Sequence, residues 1–413
     1  MRRAQAASWR GFAALLFAVS SVSACTRMTT PTPPVILVGL DGFGWDFLEA
    51  AETPNLDALI ARGVRAEWLV PIFPTKTFPN HYSIVTGLYA EQHGIVSNNM
   101  YDPDFGERFS LGNRAAVQDG RWWEGEPVWV TAEKAGLIAA AFFWPGTEAD
   151  IQGIRPTYWY PYVHRTPHDE RVDQVLTWLD LPDGERPALI TTYFADVDEA
   201  AHTFGVDAPE TLAAIQAVDR AIGRLVRGLE QRGLDNRVNM VLVSDHGMAS
   251  RSRDRVIFLD DLVDLADIEV IDWSPVAAMR PHAGREDEVY ERLHGAHPNV
   301  QVYRKAEIPE RWHYRDHRRI QPILAVADEG WVISTREYFA THPTAYRGAT
   351  HGYDNTAQTM QATFIAVGPA FSRGIVVPPF QNIHVYELLC YLLEIEPAPN
   401  DGSLDSVRVL LRE

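Results

Sequence analysis

Cysteine is almost absent from this chain. Cys25 and Cys390 are the only two in 413 residues, so no disulfide framework can be built, even in an oxidising compartment. Cys390 lies in the apolar run Tyr386-Glu387-Leu388-Leu389-Cys390-Tyr391-Leu392-Leu393 and reads as a core thiol. Long apolar segments are also missing after the leader, which leaves no second candidate for a membrane-spanning helix. Positive charge is scarce: 37 Lys and Arg face 55 Asp and Glu, a formal net charge of −18. That balance argues against tight, non-specific binding to polymeric nucleic acid. Small phosphorylated molecules remain compatible with it, because a local pair of metal ions outweighs the global field. Internal repeats and low-complexity stretches are lacking too, apart from one short tether.

The leader is the first positive feature. Arg2, Arg3 and Arg10 precede an apolar stretch from Phe12 to Val19, and small residues follow as far as Cys25. This pattern predicts a signal peptide over residues 1–24, too short in its apolar part to cross a bilayer as a helix. Val22-Ser23-Ala24-Cys25 is similar to the bacterial lipobox, in which cleavage falls before the cysteine and that cysteine is diacylated. Ordinary cleavage after Ala24 fits the same residues. The expectation is an exported protein of the periplasm or outer envelope of a bacterium, touching membrane only through a lipid at Cys25. Residues 25–34, ending Thr30-Pro31-Thr32-Pro33-Pro34, read as a tether. Without the leader and its three Arg, 389 residues remain, with 34 basic residues against 55 acidic ones and a net charge of −21. Residues 35–413 suffice for one large domain, or for a domain with an inserted cap.

Within that domain, Asp and His fall at the ends of apolar runs. Val35-Ile36-Leu37-Val38-Gly39-Leu40 leads into Asp41-Gly42, and Asn239-Met240-Val241-Leu242-Val243-Ser244 into Asp245-His246-Gly247-Met248. Ala188-Leu189-Ile190-Thr191-Thr192-Tyr193-Phe194 leads to Asp198, with His202 four residues later. Such runs predict buried strands of a mostly parallel sheet, and ligand sites in open α/β sheets lie beyond the carboxyl ends of the strands. Three Asp and two His aimed at one edge suit paired divalent metals. Helical patterns flank the strands. Thr53 and Pro54 open one that ends at Gly63, Ser83 to Thr86 precede Gly87, Glu126 to Ala135 precede Gly136, and the longest runs from Pro209 to Arg232. A strand over Ala362 to Val367 and a helix over Val385 to Leu393 close the chain. The fold class is α/β, a central mostly parallel sheet flanked by helices. Residues 255–345, with short alternating runs and a helix from Glu286 to Leu293, break the rhythm and read as a smaller α+β cap.

Each motif has a plainer explanation when taken alone. Asp198 could be an N-cap beside an unrelated His202, Asp41-Gly42 a turn, Asp245-His246 a turn acid beside a surface histidine, and His351 a solvated loop residue. Their joint placement at strand ends is what points to metal chemistry. A nucleophile candidate lies in Pro74-Thr75-Lys76-Thr77-Phe78-Pro79-Asn80-His81, where a Thr before a prolyl turn and a short helix meets backbone N–H groups that favour phosphate. A hydroxyl needs to lose its proton to attack, and metal coordination achieves this without a basic side chain. An N-cap role would suit Thr75 or Thr77 equally. His313-x-x-x-His317 is set aside because Arg311, Arg315, Arg318 and Arg319 oppose a cation there. His164-x-x-x-His168 is set aside because its loop shows no acidic partner at ligand spacing.

Taken together, these segments resemble the nucleotide pyrophosphatase/phosphodiesterase family of the alkaline phosphatase superfamily, with the chain as a bacterial member. The resemblance is carried by Asp41-Gly42, Lys76-Thr77-Phe78-Pro79-Asn80-His81, Thr86-Gly87-Leu88-Tyr89 to His93-Gly94-Ile95, Asn98-Asn99-Met100-Tyr101-Asp102, Asp198-x-x-x-His202, Ser244-Asp245-His246-Gly247-Met248 and His351-Gly352-Tyr353-Asp354-Asn355, in family order. It implies an alkaline-phosphatase-like fold and two zinc ions per chain, one on Asp198, His202 and His351, the other on Asp41, Asp245 and His246. Thr77 would bridge them as the nucleophile. Asn98, with the Thr77 N–H, would donate to a phosphate oxygen. Phe78 and Tyr162 would stack a nucleobase, although Tyr162 lies in the aromatic stretch Tyr158-Trp159-Tyr160-Pro161-Tyr162 and could equally be packing.

The implied reaction cleaves nucleotide phosphodiesters and pyrophosphates to nucleoside 5′-monophosphates through a covalent threonyl intermediate. The enzyme alternative is a phosphodiesterase of choline-type phospholipids or a phosphomonoesterase of the same superfamily. Monoester specialists need further cations around the phosphate, and no Arg stands beside Thr77 or Asn98 in the sequence. The non-enzyme alternative is a lipoprotein that sequesters zinc or a phosphorylated ligand, which leaves the placement of Thr77 unexplained.

Overall fold

The computed structural model describes residues 32–412. The leader, the lipobox-like segment and most of the tether lie outside them. Eight strands form the main sheet: β1 Val35–Leu40, β2 Val64–Ala66, β3 Ala139–Phe142, β4 Tyr158–Trp159, β5 Leu189–Phe194, β6 Asn239–Val243, β7 Phe364–Val367 and β8 Ile375–Val377. They lie in the order β8-β2-β7-β6-β1-β5-β3-β4. β1 pairs in parallel with both β5 and β6, and β7 alone runs against its neighbours. The sheet is the mostly parallel one expected.

The apolar runs are continuous because these strands are covered on both faces. Every residue of β1, β5 and β6 is buried, and a strand with no wet face has no reason to alternate. Side-chain direction still alternates. Val35 and Leu37 enter one core with the helices Thr77–Thr86, Val128–Lys134 and His384–Leu393. Ile36, Val38 and Leu40 enter a second core with Pro54–Arg62, His168–Leu179, Asp196–Phe204 and Pro209–Gln231. Register then sets the site, since Leu40 stands opposite Phe194 and Gly39 opposite Val243. Three strands therefore finish at one level, and the residues that follow them emerge on one edge.

Two features differ from the sequence expectation. The helix that runs through Ser83 to Thr86 already begins at Thr77, so what reads as a prolyl turn is helical; Pro79 sits in its first turn, where a missing N–H costs nothing. β2 and β8, at three residues each, are too short for a period to show. Residues 268–327 carry a separate antiparallel sheet of Ile268–Asp272, Val276–Pro281, Ile323–Ala327 and Val300–Arg304, in that order, with the helix Glu286–Leu293 beside it. Among the described residues no helix is long and apolar enough to cross a membrane.

Candidate metal and phosphate site

Two groups of metal-competent side chains meet at the carboxyl edge: Asp198, His202 and His351, and Asp41, Asp245 and His246, with the ligand atoms of each group within 4.8 Å of one another. His246 and His351, one from each group, stack at 3.6 Å between ring centroids, so the groups lie side by side. Gly42 permits the approach: its φ is +65°, and a Cβ there would come within 2.8 Å of the Asp198 Cβ.

The histidines are oriented from behind. Nδ1 of His202 donates to the Ala349 carbonyl at 3.0 Å, that of His246 to Gly247 at 3.0 Å, and that of His351 to Thr75 at 2.7 Å. A carbonyl only accepts, so each Nδ1 carries a proton, and Nε2 is the atom that presents a lone pair once the ring is neutral. Those Nε2 atoms face carboxylate oxygens: His246 is 3.0 Å from Asp245 and 3.6 Å from Asp41, and His202 and His351 are 3.3 and 3.6 Å from Asp198. Asp41 Oδ1, Asp198 Oδ1 and Asp245 Oδ2 are buried without a hydrogen-bond partner. Lone pairs converging in a buried place are satisfied by a cation, and N/O donors of this kind suit zinc.

The protonation energetics show the same demand. Burial, then repulsion from Asp245 and Asp198, raises Asp41 well above the ordinary carboxylate range. Burial raises Asp198 against the pull of His202 and His246. Burial also opposes the charge on Asp245, but His246 and His81 outweigh it and hold that carboxyl low. Burial, reinforced by His246 and His202, pushes His351 well down. Burial disfavours the charged form of His246, yet Asp245 overrides this and raises it.

Thr77 occupies the first position of the helix Thr77–Thr86, where its N–H has no carbonyl within the helix. Its Oγ1 lies 3.5 Å from His246 Nε2. Asn98 Oδ1 accepts the Phe78 N–H at 2.9 Å, which turns the Asn98 amide N–H groups outward as donors. Thr77, Asp41, Asp198 and His202 line a cavity of about 400 Å³ together with Phe78 and Tyr162. Phe78 is braced by Phe109 and Trp123, and Tyr162 stands edge-on to Phe143. Burial pushes the Tyr162 phenol up to about 12, so its ring stays neutral.

Some contributors carry no local signal. Tyr193, within β5, donates its hydroxyl to Asp41 across 152 residues. His81 donates Nδ1 to the Thr77 carbonyl at 3.0 Å, and the same nitrogen lies 3.2 Å from Asp245 Oδ2 as an ion-pair contact. Arg114 reaches the cavity wall although it is distant from Thr77 in sequence, and its charge is met by Glu148. His164 and His168 do find acidic partners, contrary to expectation: Glu199 and Asp196, each at 2.9 Å, supplied by the helix Asp196–Phe204 that folds across their loop. Neither joins a metal-competent group among the described residues. His317 faces Glu124 at 3.3 Å, and Arg318 and Arg319 pair with Asp102, so these three are occupied by ion pairs.

The chain is similar to known proteins over nearly its whole length. Residues 35–354 match the family described as Type I phosphodiesterase / nucleotide pyrophosphatase. An uncharacterized pyrophosphatase/phosphodiesterase of Schizosaccharomyces pombe is 40% identical over 97% of this chain and 85% of its own length. Human ectonucleotide pyrophosphatase/phosphodiesterase family member 5 is 39% identical over 96% of this chain and 82% of its own. The solved structure of murine ectonucleotide pyrophosphatase/phosphodiesterase 5, an inactive threonine-to-alanine variant in complex with AMP, superposes with a TM-score of 0.88 at 40% identity, covering 92% of this chain and all of that one. These relatives are eukaryotic, so they lend nothing to a bacterial origin, which rests on Val22–Cys25 alone. By family match and by identity across nearly its whole length, the chain belongs to the type I phosphodiesterase/nucleotide pyrophosphatase family.

Proposed function

We propose that this chain is a two-zinc phosphodiesterase and nucleotide pyrophosphatase that releases nucleoside 5′-monophosphates through a threonyl intermediate. The observation that carries the reading is Thr77 at a helix N-terminus, opening into one cavity with members of both Asp/His groups and two aromatic walls. Its relatives include a Xenopus laevis protein named bis(5′-adenosyl)-triphosphatase, 36% identical over 96% of this chain, and the murine AMP complex. Asp198, His202 and His351 would hold one ion and Asp41, Asp245 and His246 the other; zinc there lowers the pKa of a coordinated hydroxyl and offsets charge on phosphoryl oxygens.

The chain's own residues supply the rest. Thr77 Oγ1 attacks phosphorus, with its N–H and the Asn98 amide donating to a non-bridging oxygen, where charge develops. The ester or anhydride bond to the leaving oxygen breaks, and water later releases the nucleotide from Thr77. Tyr193 and His81 keep Asp41 and Asp245 aimed inward. Phe78 and Tyr162 hold the base. Residues 255–345 we read as an inserted cap. Export with cleavage before Cys25 is proposed from residues 1–34, and the mass of the mature N-terminus, with or without a diacylglyceryl group, tests it.

The reading is tested with two chromogenic esters, p-nitrophenyl thymidine 5′-monophosphate and p-nitrophenylphosphorylcholine. Chelator-sensitive preference for the thymidine diester is expected. Preference for the choline ester would overturn the substrate class, and cleavage of neither by zinc-loaded protein would overturn the catalytic assignment. Removing the Tyr162 ring by Tyr162→Ala should raise KM for the thymidine ester about tenfold through lost stacking and leave kcat nearly unchanged; an unaltered KM would remove Tyr162 from the base site. Zinc loading should weaken as pH falls below neutrality. Asp41 and Asp198 have raised pKa values, so protons compete for the oxygens that bind metal, which a zinc titration followed by calorimetry at several pH values would show.

A further inference from the structure

A ring of hydrogen bonds joins the second sheet to the phosphate-handling segments. Its keystone is Asp272, at the end of the strand Ile268–Asp272, 4% exposed and 196 residues from Lys76. Oδ2 accepts from Lys76 Nζ and from Ser97 Oγ. Oδ1 accepts from Asn99 Nδ2 at 2.9 Å and from the Trp273 N–H at 3.0 Å. Lys76 and Ser97 are also buried, each 5% exposed. Lys76 immediately precedes Thr77, and Ser97 and Asn99 stand on either side of Asn98. Because Asn98 Oδ1 takes the Phe78 N–H at 2.9 Å, the ring closes: Lys76, Thr77 and Phe78 on one side, Asn98 and its neighbours on the other, Asp272 between them.

The same turn touches the metal edge. A Cβ built on Gly352, next to His351, would lie 3.0 Å from Pro275 Cδ and 3.2 Å from Lys76 Cε. The segment from Asp272 to Pro275 and the Lys76 stem thus close together on the loop that carries His351. The Lys76 ammonium is consumed by Asp272 and is not a phosphate ligand; its role is to hold the chain one residue before the nucleophile.

We propose that Asp272 is a positioning residue, through which residues 268–327 set the geometry of Thr77 and Asn98 for phosphoryl transfer. The inference rests on the reading of Thr77 as nucleophile and Asn98 as phosphate donor. A carboxylate with four donors holds its partners to a narrow set of positions, and the loss of one partner releases both flanks of Asn98 at once. Charge stabilisation in the transition state depends more steeply on donor position than ground-state binding does. The effect therefore falls on kcat.

The test compares the full zinc-loaded chain with Asp272→Asn, using p-nitrophenyl thymidine 5′-monophosphate, and measures inhibition by AMP and by orthovanadate, whose five-coordinate form mimics the transition state. Asp272→Asn should lower kcat about 10- to 100-fold, the loss expected when reacting groups shift by about an ångström. KM and AMP inhibition should hold while the vanadate inhibition constant rises by the factor lost from kcat. Zinc content should stay at the wild-type value. Should Asp272→Asn fail to fold because it strands the Lys76 charge, Ser97→Ala/Asn99→Ala, which strands none, decides by the same criteria. A folded, zinc-loaded variant with wild-type kcat and vanadate inhibition overturns the inference. So does a loss of kcat that merely follows a loss of zinc. Failure of the underlying reading shows separately, as a wild-type chain that leaves the ester intact or a Thr77→Ala chain that cleaves it, and the inference then falls with it.

Discussion

Thr77→Ala is expected to lose turnover by on the order of 10⁴-fold or more, as removal of a nucleophile does in other hydrolases, and to keep its fold, its zinc and its affinity for AMP. The separation of these effects follows from the site. Among hydrogen bonds, the Thr77 hydroxyl has one weak contact, to His246 at 3.5 Å, so no buried partner is stranded. Alanine at the first helical position preserves the helix, and six other side chains make up the two metal-competent groups. Thr77→Ser retains the attacking oxygen and should keep activity within about tenfold of wild type, a small loss on the free-energy scale of catalysis. Steady-state kinetics paired with zinc analysis and AMP calorimetry distinguish the outcomes. A Thr77→Ala protein that turned over normally would remove the covalent mechanism. One that lost zinc along with activity would make Thr77 a ligand first and a nucleophile second.

How far such a site can be read from sequence depends on the range over which each signal acts. β1, β5 and β6 are legible because a strand buried on both faces writes a continuous apolar run, and the rule that ligands collect beyond the carboxyl ends places Asp41, Asp198 and Asp245 together without any coordinate. The helix at Thr77 is half legible: Gly87 at φ +69° marks its end, but Pro79 hides its beginning. What stays illegible is the support behind the ligands. Tyr193 reads as one more apolar strand residue until its hydroxyl is seen on Asp41. The bond from Lys76 to Asp272 joins the first helix of the site to a different sheet. His164 and His168 seemed to lack acids because Glu199 and Asp196 approach from a helix beyond the next strand. None of these pairs leaves a periodicity or a motif, since tertiary partners are chosen by packing rather than by spacing.

The second large effect concerns stability. Asp41→Asn should make the metal-free protein more stable at neutral pH and abolish most of the stabilisation by zinc. Burial and the neighbouring Asp245 and Asp198 raise Asp41 well above its ordinary range. A carboxyl whose folded pKa exceeds its unfolded value carries its full penalty above the folded value, and that penalty is relieved as pH falls through the folded value toward the unfolded one. Chelator-treated wild type should therefore gain stability on mild acidification, and Asp41→Asn should flatten that slope. The amide oxygen can still accept the Tyr193 hydroxyl, so the substitution removes charge and little else. Zinc reverses the order. A ligand at a thousandfold excess over its Kd stabilises by about 4 kcal/mol, enough to raise the wild-type Tm by roughly 5 °C in a chain of this size, while Asp41→Asn, short of one anionic ligand, should gain far less. Thermal melts of both proteins with chelator and with zinc supply the four values needed. If Asp41→Asn is less stable in chelator, or gains as much from zinc as wild type does, the metal assignment of this carboxylate is wrong. If the order reverses as stated, the Asp41 carboxylate is kept against the interest of the bare fold, as is expected of a side chain selected to bind a cation and carry out chemistry.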